Sequence, residues 1–126
     1  MTPDLYDIAA RTDAARVYQL AARTPLQFAP KLSEELGRNV WLKREDLQAV
    51  FSFKIRGAAN RMAALTEAEQ ARGVCAASAG NHAQGIAKAA AFYGIEALIF
   101  MPVTTPPIKI AAFQASGAST RLVGDT

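Results

Sequence analysis

A chain of 126 residues with 51% hydrophobic residues holds enough apolar material for one compact domain and excludes a disordered segment. Its net charge of +3 comes from basic residues interleaved with acidic ones, so no basic track runs along it and nucleic acid is not expected as a partner. One cysteine, Cys75, and one histidine, His82, exclude an intrachain disulfide and a structural zinc site; with no signal-like or membrane-spanning run, a soluble protein of the reducing cytoplasm is expected.

From Asp4 to about Ala22, Ile8, Val17, Tyr18, Leu20 and Ala21 recur at roughly helical spacing among charged residues. This predicts one amphipathic helix or two short ones, ended by Thr24-Pro25. A further short helix is predicted from Ala29 to Leu36, with Pro30 in its first turn and Gly37 just beyond its end. Residues 1 to about 37 therefore read as a helical lead-in.

From about residue 40 to 126 the pattern alternates. Val40-Trp41-Leu42, Val74 to Ala77, Ala97 to Phe100 and Thr120 to Val123 read as strands, and Lys54 to Leu65, Asn81 to Tyr93 and Pro107 to Ala115 as helices. Such alternation with near-continuous apolar strands predicts an α/β fold, a parallel sheet covered by helices on both faces. The chain stops just after a strand, without the helix the pattern requires, which reads as truncation.

Two stretches are candidates for chemistry. In Ser52-Phe53-Lys54-Ile55-Arg56-Gly57-Ala58 a loop delivers a lysine to the start of a helix, where the macrodipole and Arg56 both disfavour the ammonium form. A neutral amine is what a Schiff base needs. The alternative is a solvated lysine; Phe53 reads either as the wall of a pocket or as a core residue, and Arg56 as an ion-pairing residue rather than a catalytic one.

The second stretch, Ser78-Ala79-Gly80-Asn81-His82-Ala83-Gln84-Gly85, lies between a strand and a helix, at the carboxyl end of the sheet where α/β proteins bind ligands. Its free N–H groups suit a carboxylate or a phosphate. The alternative is a capped turn, with Ser78 or Asn81 holding the orphan N–H groups and Gly80 present for a positive φ. His82 reads as structural, Cys75 as a small buried hydrophobe, Trp41 as core, and Lys43-Arg44-Glu45-Asp46 as a solvated strand end.

Taken together, Lys43-Arg44-Glu45-Asp46, Ser52 to Ala58 and Ser78 to Gly85 resemble the threonine dehydratase family, and the resemblance extends from Val17-Tyr18 and Thr24-Pro25-Leu26 to Ile108-Lys109. It implies the tryptophan-synthase-β-like fold of type II pyridoxal-phosphate enzymes, of which residues 1–126 would be the N-terminal part of the catalytic domain. It further implies pyridoxal 5′-phosphate carried on Lys54, the cofactor's 3′ oxygen bonded by Asn81, and Phe53 against the pyridine ring. The substrate carboxylate would rest on the N–H groups of Ser78, Ala79, Gly80, Asn81 and His82, with the Ser78 hydroxyl near the reacting centre.

The activity implied is deamination of L-threonine, the opening step of isoleucine synthesis, in a homo-oligomer; serine racemase or serine dehydratase is the alternative within the branch. A non-catalytic phosphate-binding α/β module is the alternative outside it. The sequence departs from the family in Ala49, where a proline is frequent, and in the proline-rich Thr105-Pro106-Pro107. The family's glycine-rich phosphate loop and ring-nitrogen partner have no counterpart here, so the 126 residues alone are expected to be inactive.

Overall fold

The computed structural model describes residues 4–125. The lead-in forms two short pieces, α1 (Leu5–Asp13) and a 3-10 turn at Val17–Gln19. Asp4 starts α1 by accepting from the Asp7 N–H at 2.8 Å, which satisfies one orphan donor of the first turn. Between Thr24 and the next helix the chain is extended: β1 (Leu26–Phe28) lies between the two expected helices, in a lead-in for which no strand was foreseen. α2 (Pro30–Leu36) follows as expected, stopped by Gly37 in the left-handed region at φ 61°.

The Trp41 strand does not join the parallel sheet. β2 (Trp41–Lys43) pairs antiparallel with β1, Leu26 opposite Lys43 and Phe28 opposite Trp41, in a separate two-stranded ribbon. Three-residue β1 carries no periodicity long enough to announce itself. Trp41, expected in the core, is 55% exposed and tilts against Phe28 with ring centroids 5.1 Å apart.

A 3-10 turn at Glu45–Leu47 leads to α3 (Lys54–Ala63) and then to α4 (Glu67–Arg72), a helix the sequence reading missed. Thr66 and Glu69 form a reciprocal capping box at the head of α4, with Thr66 N–H bonded to the Glu69 carboxylate at 2.8 Å. The parallel sheet consists of β3 (Val74–Ala77), β4 (Ala97–Met101) and β5 (Ser119–Leu122) in that spatial order, connected through α5 (Asn81–Tyr93) and α6 (Pro107–Ala115). The α/β class and the parallel register are as expected, Val74 facing Ala97 and Leu98 facing Ser119.

The core lies between α5, α6, α3 and one side of this sheet: Ala58, Met62, Ala83, Ala87, Ala90, Ile99, Met101 and Phe113 are all buried. Its many alanines keep α5 close to its neighbours, because each methyl adds little thickness. Val74 and Ala76 turn toward this cluster, so the period of two along β3 sends Cys75 and Ala77 to the other side. Cys75 is therefore exposed, not buried as the apolar run suggested.

Gly73 joins α4 to β3 with φ 74°, and a Cβ there would stand 2.9 Å from the Glu96 carbonyl oxygen. Both terms oppose any side chain. Gly73→Ala is expected to cost about 2–3 kcal/mol, read as a lowered urea midpoint at unchanged slope.

Candidate functional site

Lys54 is the first residue of α3, and its position follows from the loop before it. Gln48, buried, anchors that loop by bonding both ways with the Ala22 peptide, donating to its oxygen and accepting from its N–H, each at 2.9 Å. The chain then reverses at Phe51, whose N–H donates to the Gln48 carbonyl at 2.8 Å and whose φ of 54° is left-handed, a costly conformation for an aromatic residue. Ser52 is buried, and its hydroxyl has no partner among the described residues.

Phe53 is 58% exposed and so is not a core residue; the Lys54 ammonium stands 5.1 Å from its ring centroid. An amine and an aromatic plate thus stand side by side on the open surface. No side chain caps α3.

The second candidate stretch forms the turn between β3 and α5. The Ser78 N–H donates to the Phe100 carbonyl at 3.0 Å, which closes the sheet, and the Ser78 hydroxyl accepts from the Gly80 N–H at 3.2 Å. Ser78 thus does part of what the capped-turn reading asks. The other half of that reading fails: Gly80 has φ −131°, and no side chain caps α5.

The first bond into α5 is from the Gln84 N–H to the Gly80 carbonyl, so the donors of Asn81, His82 and Ala83 are left over at the helix start. Nothing lies within 4 Å of where a Cβ on Gly80 would be, and Asn81 and His82 are exposed. Ser78 and Ala79 also border a cavity of about 430 Å³ at the carboxyl ends of β3 and β4, walled by Ala77, Phe100, Met101, Pro102 and Val123. Free donors beside open space suit an anion.

Helix packing brings the two stretches together. α5 lies across α3 so closely that a Cβ on Gly85 would be 3.1 Å from the carbonyl carbon of Lys54. The start of α3, with Lys54, and the first turns of α5 therefore lie against each other.

Behind Lys54 stands a polar knot that sequence reasoning missed. Arg56 grips Glu45 with two bonds, Nε to Oε2 at 2.7 Å and a second guanidinium nitrogen to Oε1 at 2.8 Å. Gln48 donates to the same carboxylate at 3.1 Å, and the Thr24 hydroxyl donates to it as well. Arg56 holds the Glu45 carboxyl down to about 2 against an opposing push from burial, with Thr24 and Gln48 assisting; the same pairing raises Arg56.

Tyr18 closes the knot. The Arg23 guanidinium stacks 3.8 Å from its ring centroid, and the Arg56 guanidinium, 5.3 Å from the same centroid, lowers the phenol with Arg23 assisting. The expectation of a solvated strand end thus holds for Arg44 and Asp46, paired at 2.6 Å on the surface, and fails for Glu45. Arg56 is the ion-pairing residue expected, spent on Glu45.

These residues fit one end of pyridoxal phosphate, with a primary amine for its aldehyde, an aromatic plate beside the amine and an amide on Asn81, while the uncapped N–H groups fit the carboxylate of an amino acid. Among the described residues no glycine-rich loop is present to hold a phosphate. The family model described as pyridoxal-phosphate dependent enzyme matches residues 17–126, and the chain belongs to that family.

Its relatives narrow the likeness. The chain is 56% identical over 121 residues to the biosynthetic, chloroplastic threonine dehydratase 1 of Solanum lycopersicum, covering 96% of this chain and 20% of that protein. Among solved structures, threonine deaminase isoform 2 of the same plant superposes with a TM-score of 0.91 at 46% identity, over 100% of this chain and 36% of that one. Serine racemase of Dictyostelium discoideum gives 0.87 at 30% identity, over 98% and 40%. The chain spans about one fifth of the length of the curated relatives it matches.

No helix among the described residues is long and apolar enough to cross a membrane.

Proposed function

We propose that these residues belong to a pyridoxal-phosphate-dependent threonine ammonia-lyase, which converts L-threonine to 2-oxobutanoate and ammonia at the entry to isoleucine synthesis. The observation that carries the reading is the packing of α5 on α3, which joins an exposed lysine to an uncapped, donor-rich turn. Similarity to the tomato dehydratase and deaminase supports it.

When bound, the cofactor supplies an aromatic ring that accepts the charge left at Cα. Lys54 Nζ would be its attachment point and, as a free amine, the base that takes the Cα proton. The N–H groups of Ala79, Asn81 and His82 would hold the substrate carboxylate and fix the Cα–H bond in the direction where removal is easiest, those of Ser78 and Gly80 being spent on the Phe100 carbonyl and the Ser78 hydroxyl. Asn81 would bond the cofactor's 3′ oxygen, Phe53 would lie against its ring, and the Ser78 hydroxyl would act near the reacting carbon. Loss of the β-hydroxyl and hydrolysis of the product give one molecule each of keto acid and ammonia.

Residues 1–126 supply the N-terminal part of a catalytic domain in this reading, with the phosphate loop and ring-nitrogen partner contributed from further along the polypeptide. A homo-oligomer acting on a small amino acid, without a nucleic acid or membrane partner, accompanies it. The cytoplasm is the proposed location, and the tomato relative is named chloroplastic.

The racemase reading has an observation of its own in the Dictyostelium likeness. Product analysis of the full-length protein separates the two. Accumulation of 2-oxobutanoate from L-threonine is expected; D-serine from L-serine without keto acid would replace the dehydratase by the racemase, and neither product would leave a binding module.

A further inference from the structure

Gly85 occupies an interior position of α5, where glycine weakens a helix by about 1 kcal/mol relative to alanine. Its backbone needs no special conformation, so the reason for a missing side chain lies outside the helix. A Cβ on Gly85 would stand 3.1 Å from the carbonyl carbon and from the carbonyl oxygen of Lys54, and 3.3 Å from the Ile55 nitrogen. All three atoms are backbone, and they form the peptide that leaves Lys54 itself. Gly57 and Gly80, the other glycines of these two stretches, have nothing within 4 Å of the same point.

We propose that Gly85 is a positioning residue: without a side chain it lets α5 rest on the peptide of Lys54, and this contact sets how far the carboxylate-binding turn stands from the lysine. The turn is rigidly tied to the contact, because Asn81 and Gly85 are one helical turn apart on the same α5. The lysine is tied to it too, because the touched atoms are its own main chain. An added methyl has no flexible neighbour to displace, so the two helix starts must part by a few tenths of an ångström. The inference rests on the proposed role of Lys54 and concerns the distance between its two halves.

The test uses the full-length holoenzyme with Gly85→Ala, and Lys88→Gly as a reference that weakens the same helix at an exposed position. The expected result for Gly85→Ala is a shifted absorbance maximum of the Lys54-bound cofactor without substrate and kcat/KM for threonine reduced roughly tenfold, since misplacement by 1 Å costs about 10²-fold. Lys88→Gly should lower Tm and leave the absorbance maximum in place.

A Gly85→Ala protein with a lowered Tm but an unmoved maximum and unchanged kcat/KM would overturn the proposal and leave Gly85 as ordinary packing. Should that variant not fold, Ala58→Gly takes its place: Ala58 is buried in the core cluster shared by α3 and α5, and removing its methyl is expected to move the maximum, an unmoved one counting against the proposal. Absence of any lysine-bound chromophore in the unmodified protein would instead sink the function proposed for Lys54, which keeps the two failures apart.

Discussion

Replacing Lys54 with alanine in the full-length protein is expected to remove the pyridoxyl adduct that borohydride fixes and to lower threonine turnover by about 10³-fold or more. The variant should remain folded. Lys54 is exposed at the start of α3, its side chain makes no hydrogen bond or ion pair with another described residue, and a cation there faces the positive end of the helix dipole. Its removal therefore costs the fold little, and a lost activity is a lost chemical group. Peptide mapping after reduction checks the result: an adduct remaining in the variant would move the attachment point elsewhere, and a wild-type protein without adduct would return the chain to the binding-module reading.

Arg56→Met is expected to destabilise the protein by about 3 kcal/mol, because it strips the partner from a mostly buried carboxylate. The Glu45 side chain is 15% exposed and that of Arg56 23%, so water replaces the lost bonds poorly. The pH dependence provides an independent check. Glu45 is held at about 2 in the folded protein against 4.5 ordinarily. A depressed carboxyl contributes stability that is complete above the unfolded value and is lost as pH falls from about 4.5 toward 2. Urea unfolding at pH 7 and pH 3 should show a steep loss in the wild type and a much shallower one in Arg56→Met, with Asp46 and Glu69, also lowered, giving the remainder. Equal slopes in both proteins would remove Glu45 as the source.

The helices were legible where their punctuation was strong. α5 from Asn81 to Tyr93 and α6 from Pro107 to Ala115 stand where alanine-rich runs between glycines and prolines put them. β1 was not, and β2, read as a strand, was assigned to the wrong sheet: three-residue strands are specified by their partner, and Trp41 finds Phe28 only because Leu26 pairs with Lys43. Cys75 was misjudged for a related reason, since an apolar run does not say which side of a sheet is covered.

At the site, Lys54 and the Ser78 turn could be found because each opens a helix after a loop, a position with its own chemistry. The knot of Thr24, Glu45, Gln48 and Arg56 could not, because its charges look in sequence like any other surface group. The Gln48 bonds to Ala22 span 26 residues, and no periodicity encodes them.

The contacts that seat Lys54 are also close in sequence. Arg56 and Glu45 are 11 residues apart, and the loop anchor at Gln48 reaches back 26 to Ala22. Short loops close quickly and cheaply. The cradle around Lys54 is therefore among the parts of the fold that lose least chain entropy on closing.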